Sequence, residues 1–88
     1  MIRGIDADGL AELGKHIKEL RKEKNISQEQ LAFSANVSLS QISRIEQGKH
    51  NTSFSTLLSI CKAFNITIGD FFKEFDYPLP IKAKGKKK

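Results

Sequence analysis

The chain has little of the chemistry that enzymes, metal-binding proteins and disulfide-stabilised proteins use. Its 88 residues include one cysteine, Cys61, and two histidines, His16 and His50. One cysteine excludes an internal disulfide, and the three residues together lack the spacing of zinc ligands. No nucleophile with a base and an orienting partner is evident, and no glycine-rich phosphate loop occurs. We therefore expect no enzyme, metal, cofactor or small-molecule substrate, and Cys61 is expected to be a small core residue.

Long apolar runs are missing too. None approaches the roughly 20 residues that a membrane span needs, and the first residues lack the basic and apolar regions of a secretory signal. The sequence therefore predicts a cytoplasmic protein with no membrane partner. Its length suits one compact domain without a separate sensor domain.

Excess positive charge is confined to one end of the chain. The net charge of +5 equals the charge of the five lysines within residues 82–88, so residues 1–81 are neutral. Within that neutral part, residues 15–51 carry +3, whereas residues 1–14 carry −2 and residues 52–81 carry −1. Because phosphate is attracted to basic surfaces, a nucleic-acid contact is expected within residues 15–51.

Apolar residues near the N-terminus recur at steps of three and four, the spacing of one helical face. They predict a first helix, which Asp8 caps at its start and Asn25 ends. The residues of this face are Leu10, Leu13, Ile17 and Leu20.

Two further helices begin with the same signal. Ser27 and Ser38 are each followed three residues later by a glutamine, Gln30 and Gln41, so both helices are predicted to start with a reciprocal capping box. Asn36 between them can adopt the left-handed conformation of a tight turn. Two short helices joined in this way are typical of a helix-turn-helix DNA-binding motif.

The second of these helices, which Gly48 is predicted to end, has two different faces. Arg44 on its outer face has a planar guanidinium that can contact guanine through two hydrogen bonds, and Leu39 can pack on a thymine methyl group. The alternative for Arg44 is a solvated side chain that touches only phosphate. The outer face consists of Leu39, Ser40, Ser43 and Arg44, and the inward surface of the motif consists of Leu31, Ala32, Ala35, Val37, Ile42 and Ile45.

The rest of the chain adds two more predicted helices. Ser53 caps the fourth, Asn65 ends it, and Thr67 caps the fifth; no convincing alternating strand pattern occurs, so the expected fold is all-α. We expect an N-terminal arm at 1–8, a DNA-binding domain at 9–76 and a disordered lysine-rich tail at 77–88, since prolines block regular structure there. This tail is either a mobile arm that adds phosphate contacts or a solubilising terminus.

Five further sequence motifs follow one another along the chain: Ile17–Arg21, Ile26–Ala32, Ile42–Lys49, Leu57–Phe64 and Gly69–Phe72. In this order they resemble the Xre family of helix-turn-helix proteins, the lambdoid phage repressor and Cro-like class. The similarity runs from about Leu10 to Phe72 and implies a five-helix, repressor-like DNA-binding domain. It also implies a transcription regulator that binds double-stranded operator DNA.

The resemblance implies roles for individual residues. Leu39, Ser40, Ser43 and Arg44 fall where the family reads base edges. Arg21 and Glu46 match a partly buried ion pair that would fix the arrangement of two helices; the alternative is an exposed pair of little energetic weight. The residues expected to contact phosphate are Gln28, Ser38, Gln47, Lys49, His50 and Asn51.

Specific binding of this kind usually needs two half-sites and a two-fold dimer. An aromatic cluster near the end of the fold, comprising Phe71, Phe72, Phe75 and Tyr77, is the expected homodimer interface because exposed apolar surface often marks an interface. In the alternative, the first two of these residues fill the core and the last two cap it.

Two further alternatives stay open. Phe33 occupies a position that is usually polar in the family, and it either packs against the domain or is exposed for a partner. The chain is alternatively a helical protein-interaction module, or an antitoxin that mainly binds a protein, which the neutral charge of residues 1–81 favours. Restriction–modification controller, phage repressor and antitoxin are all settings that suit a regulator of this size.

Overall fold

A computed structural model describes residues 6–73 and Phe75, and the part of the chain that it describes contains five helices and no strand. The all-α, five-helix expectation is therefore confirmed. The helices are α1 (Ala7–Glu23), α2 (Gln28–Ala35), α3 (Leu39–Glu46), α4 (Phe54–Phe64) and α5 (Ile68–Lys73). None of these helices is long and apolar enough to cross a membrane.

The start of α1 differs from the prediction. Asp6, and not Asp8, is the N-cap, and its side chain accepts a hydrogen bond from the Gly9 backbone N–H at 2.9 Å. Asp8 lies in the first turn, where a negative charge is favourable beside the unpaired N–H groups of the helix end. Ala7 and Asp8, assigned to the arm by the sequence, are thus helical. Two aspartates separated by one residue offer similar caps, so spacing alone did not distinguish them.

Three helix connections share one three-residue pattern, at 25–27, 36–38 and 65–67. Each begins with an asparagine in the left-handed region, with φ of 59°, 59° and 61°. Its second residue is β-branched, packs against the core and donates its backbone N–H back to the preceding helix. A serine or threonine then caps the next helix. The predicted roles of Asn36 in the turn and of Asn65 at the end of α4 are confirmed.

Only one of the two predicted capping boxes is complete. Ser27 and Gln30 exchange hydrogen bonds at 3.0 and 2.8 Å, as predicted. Ser38 accepts from the Gln41 backbone N–H at 3.0 Å, but the Gln41 side chain does not return the bond. Its amide nitrogen instead lies 3.5 Å from Nε2 of His50 in the loop after α3. The prediction of a second reciprocal box was wrong, because the Gln41 side chain lies beside His50 and not at the Ser38 backbone N–H.

The core lies where α1, α2, α3 and α4 meet, and α5 closes it at one end. Cys61 is buried as predicted, and burial raises the pKa of its thiol. Burying each large apolar side chain contributes about 1.5–3 kcal/mol to folding, so these few residues supply most of the driving force. The largest fully buried side chains are Ile17, Leu31, Ile42, Ile45, Ile60, Cys61, Phe64 and Phe71.

His16 has a structural role that the sequence did not reveal. It is buried, and its Nε2 lies 2.7 Å from the Phe71 carbonyl oxygen. Since a carbonyl can only accept, Nε2 carries the proton and donates. The two rings also meet edge to face, with centroids 4.6 Å apart. His16 therefore attaches α5 to α1, and its place between Leu13 and Leu20 on the apolar side of α1 was the available sequence signal.

Candidate nucleic-acid interface

Helix α3 is held by one face and exposed on the other. Ile42 and Ile45 are 0% and 1% exposed and anchor α3 in the core, whereas Leu39 is 42% exposed. Ser40 and Arg44 are exposed and Ser43 is half-buried. The structure thus brings all four residues expected to read bases, Leu39, Ser40, Ser43 and Arg44, to the side of α3 opposite its anchors.

Arg44 is linked to the loop that follows α3. Its Nη2 donates to the Lys49 carbonyl oxygen at 3.2 Å, and the Lys49 backbone N–H donates back to the Arg44 carbonyl at 2.8 Å. The bond at Nη2 uses one of the five N–H donors of a guanidinium. An exposed planar cation beside a polar helix face can meet either a guanine edge or a phosphate.

The loop after α3 presents polar and positively charged groups. Gly48 has φ of 74° and ends α3 in the left-handed conformation, as the sequence predicted. Lys49 and Asn51 are exposed, and His50 is half-buried beside Gln41. Gln47 is exposed and donates to the Ser43 hydroxyl at 2.8 Å, which connects the loop to the outer face of α3.

Ser38 and Gln28, two further residues expected at phosphates, stand at helix starts. Ser38 is exposed, and its oxygen caps α3, which leaves the hydroxyl proton able to donate. Gln28 is the first residue of α2, and its side-chain nitrogen donates to Glu46 Oε1 at 3.0 Å. A side-chain amide has two N–H donors, so this bond fixes the amide while leaving a second N–H.

Arg21 and Glu46 form the ion pair that the resemblance implied. Arg21 Nε donates to Oε2 at 2.7 Å and Nη2 donates to Oε1 at 3.1 Å. The side chains are only 13% and 3% exposed. Arg21 Nη1 also donates to the Ile26 carbonyl at 2.9 Å. One carboxylate therefore joins α1, α2 and α3, and the Arg21 guanidinium neutralises its negative charge.

The aromatic cluster expected at a dimer interface is divided by the structure. Phe71 is 0% exposed, so its assignment to the interface was wrong: it fills the core beneath His16. Phe72 is 41% exposed and meets Phe71 and Phe75 edge to face, with centroids 5.0 and 5.5 Å apart. Phe75 is half-buried, and Tyr77 lies outside the described residues.

Two exposed aromatic residues stand apart from this cluster. Phe33 is 88% exposed on α2, so the interpretation that it packs against the domain was wrong. It lies on the side of α2 opposite the buried Leu31 and Ala35. Phe54 at the start of α4 is 65% exposed, and sequence reasoning had not singled it out.

Within residues 6–73 and Phe75, no three His, Cys, Asp or Glu side chains are grouped to hold a metal ion.

Comparison with known proteins identifies the family. A family model described as Helix-turn-helix matches residues 17–71, which include the whole interface described above. The chain belongs to the helix-turn-helix family. The family that the motif order indicated is thereby confirmed.

Relatives and solved structures of this family include several regulators. The HTH-type transcriptional regulator PuuR of Escherichia coli (strain K12) is 35% identical over 71 residues, which are 81% of this chain and 38% of PuuR. The chain therefore spans less than half the length of that relative.

Two solved structures match the fold closely. The restriction-modification controller protein C.AhdI from Aeromonas hydrophila has a TM-score of 0.71 and 34% identity, and the match covers 76% of this chain and 100% of that one. The controller protein C.Esp1396I, solved as a tetramer in complex with its natural 35 base-pair operator, has a TM-score of 0.70 and 33% identity; the match covers 73% and 84%. The five-helix arrangement is thus shared with proteins that include an operator-bound controller.

Proposed function

We propose that the protein is a sequence-specific DNA-binding transcriptional regulator that binds operator DNA as a dimer through the recognition helix, residues 38–47. The observation that carries this proposal is the two-sided character of α3, whose Ile42 and Ile45 are buried while Leu39 and Arg44 stay exposed. A helix held in this way can enter the major groove without disturbing the core. The proposal includes a cytoplasmic location and no catalytic activity, cofactor or small-molecule substrate.

Base reading is assigned to the outer face of α3. Arg44 meets O6 and N7 of a guanine, and Leu39 packs on a thymine methyl group. Ser40 and Ser43 contact base edges directly or through water. For Arg44, base contact requires the guanidinium to leave the Lys49 carbonyl or to share its donors with it.

Phosphate contacts are assigned to the groups that surround this face. Gln28 offers its second amide N–H beside Glu46 at the end of α3, and Ser38 offers its hydroxyl at the start of α3. The loop offers one flexible ammonium, one imidazole and two amides. These contacts supply affinity without sequence preference and weaken as salt rises. The residues of the loop are Gln47, Lys49, His50 and Asn51.

Two copies of the chain are proposed to bind one operator. A single recognition helix reads only a few base pairs, so two half-sites about one helical turn apart are needed for specific affinity. Phe72 supplies exposed apolar surface near the end of the domain, and Phe75 lies beside it. Tyr77 is proposed to extend the same interface. The tetrameric C.Esp1396I complex supports assembly of several copies on one operator.

Selection of bound sites from a random duplex library tests this function. We expect an enriched sequence with two-fold symmetry, and competition by unlabelled enriched duplex but not by random duplex at moderate salt. The full 88-residue protein should be used. Equal affinity for enriched and random duplexes would overturn the proposal. An enriched sequence without symmetry would overturn the dimer and leave the assignment of base reading to α3 standing.

A protein partner is the second candidate function, and the 88% exposure of Phe33 favours it. An isolated exposed phenylalanine is common on protein surfaces, so this observation alone is weaker than the two-sided α3. Among the three settings that suit the chain, a controller protein has the most support, because the match covers 100% of C.AhdI. Capture of one protein partner by the wild type but not by Phe33→Ser, with no sequence discrimination among duplexes, would favour the second candidate.

A further inference from the structure

Helix α1 touches the C-terminal end of the recognition helix directly through backbone. At Gly14, a Cβ atom would overlap the Ile45 carbonyl oxygen and would stand 2.8 Å from the Glu46 carbonyl oxygen. Ordinary van der Waals contact begins at about 3.4 Å. No side chain therefore fits between α1 and the end of α3 at this point.

A second contact of the same kind occurs at Gly48. A Cβ atom there would stand 2.8 Å from Cα of Ala11 and 3.1 Å from its backbone nitrogen. Gly48 also has a positive φ, but asparagine occupies the three other positive-φ positions found within residues 6–73 and Phe75. Positive φ alone thus does not require glycine in this fold. The close approach of α1 gives Gly48 a second, independent reason to lack a side chain.

We propose that Gly14 and Gly48 are positioning residues for operator recognition, because they set how far the end of α3 stands from α1. Together with the Arg21–Glu46 pair, they fix the end of α3 at three points along α1. Arg44 lies one residue before the first of these contacts, so any shift of the helix end moves its guanidinium. This inference rests on the proposed function and names residues that themselves touch no DNA.

The atoms that an added Cβ would meet at Gly14 and Gly48 are mainly backbone atoms. A flexible side chain could rotate away from an added methyl group, but the Ile45 and Glu46 carbonyls belong to the hydrogen-bonded end of α3. The end of the helix must therefore move by about 1 Å to restore ordinary contact at Gly14. Hydrogen bonds to base edges need donor–acceptor distances of about 2.7–3.2 Å, so a displacement of this size removes them. A long lysine side chain can follow a phosphate over the same distance.

Two substitutions test the proposal in the 88-residue chain. Gly14→Ala adds the methyl group that meets α3, and Gly48→Asn keeps a residue that tolerates positive φ while adding the contact with Ala11. The measurement is the dissociation constant for a duplex that the wild type selects and for a random duplex, below the melting temperature of every variant. The discrimination ratio is the dissociation constant for random duplex divided by that for the selected duplex. We expect this ratio to fall at least about tenfold, with the affinity for random duplex changed far less.

Two control variants separate positioning from loss of stability. Gly69→Ala is the same chemical change in a helix where the nearest atom, Thr67 Oγ1, would be 3.8 Å from the new Cβ, and we expect it to keep the wild-type ratio. Ile60→Val removes a methyl group from the core in α4, far along the chain from the α1–α3 contact, and is also expected to keep the ratio. A circular dichroism melt shows that each variant is folded at the binding temperature.

The outcomes distinguish this inference from the proposed function. A wild type that does not discriminate between duplexes contradicts the proposed function itself. A discriminating wild type together with folded Gly14→Ala and Gly48→Asn variants that keep its ratio overturns the inference. An equal loss of ratio in Ile60→Val also overturns it, because stability would then explain the effect. If Gly14→Ala fails to fold, the test rests on Gly48→Asn: a lowered discrimination ratio supports the inference, and an unchanged ratio overturns it.

Discussion

Glu46 accepts hydrogen bonds from two nitrogens of Arg21, at 2.7 and 3.1 Å, while only 3% of its side chain is exposed. The same carboxylate accepts a third hydrogen bond from Gln28. A buried carboxylate with this set of donors is well satisfied, but each partner depends on the others. The pair therefore fixes the arrangement of α1, α2 and α3. Removing one partner lowers the stability of the fold, because the other charge is then left buried without a partner.

We expect Glu46→Ala to lower the free energy of unfolding by about 3–5 kcal/mol, because the Arg21 charge then stays buried without its partner. Urea denaturation measures the change. Asp70→Ala is the control, since the Asp70–Lys73 pair is exposed and its atoms are 3.9 Å apart, and such pairs contribute about 0–1 kcal/mol. Similar losses for the two variants would show that burial adds nothing to the Arg21–Glu46 pair.

Arg44→Ala is expected to weaken operator binding by about 1–3 kcal/mol and to abolish preference at one base pair of each half-site. The reason is loss of a two-donor contact with guanine. Binding should be measured by fluorescence anisotropy on duplexes carrying all four base pairs at each position. Lys49→Ala is the matched variant, with a uniform loss on every duplex and a smaller salt dependence. An equally uniform loss for Arg44→Ala would reassign that residue to phosphate.

Phe72→Ala is expected to weaken the dimer roughly tenfold, a cost of about 1.4 kcal/mol, with little change in the stability of the monomer. Sedimentation equilibrium over a range of concentrations measures the effect. Phe71→Ala should behave in the opposite way, because this residue is buried: loss of the ring should cost about 3–5 kcal/mol of stability. An unchanged dimer constant for Phe72→Ala would place the interface elsewhere.

The Cys61 thiol links stability to alkaline pH. Burial raises its pKa above the ordinary value of 9.0, so the folded protein keeps the thiol proton more tightly than the unfolded chain. This contribution is fully present below pH 9.0 and is lost as pH rises through the pKa of the folded state. Urea denaturation at several pH values should therefore show a steeper fall above pH 9 for the wild type than for Cys61→Ala. Parallel curves would contradict this.

Deletion of residues 82–88 tests whether the lysine-rich segment contacts DNA; these residues lie outside the described part of the chain. If they add phosphate contacts, the deletion should weaken binding to selected and random duplexes alike. Each lost contact should lower the slope of log K against log salt by about 0.9. Replacing the five lysines with glutamine controls for length. If neither the affinity for DNA nor the salt slope changes, the segment does not contact DNA, and its role as a solubilising terminus remains.

Much of the fold was predictable because local chemistry decides where its helices begin and end. Ser27, Ser53 and Thr67 cap helices as expected, and Asn36 and Asn65 adopt positive φ. These features depend on neighbours within four residues, which the sequence displays directly. The four outward residues of α3 followed in the same way from helical periodicity.

Apart from the choice between Asp6 and Asp8 at the start of α1, the failures concern contacts that the pattern within a helix does not display. Gln41 turns to His50, and Phe71 is covered by His16 across 55 residues of sequence. Exposure of Phe33 could have been predicted, because helical geometry places it opposite Leu31 and Ala35, which were expected to face inward. The close approach at Gly14 was also hidden, because a glycine inside a helical pattern does not reveal what lies opposite it.

The repeated helix connections at 25–27, 36–38 and 65–67 have a practical consequence for producing the protein. Asn-Ile-Ser, Asn-Val-Ser and Asn-Ile-Thr all fit the acceptor sequence for N-linked glycosylation, and the three asparagines are exposed. Secretion from a eukaryotic host would present them to oligosaccharyltransferase. A glycan on Asn36 would sit at the start of the recognition helix and shield it from the duplex, so protein for binding studies should be made without passage through the secretory pathway.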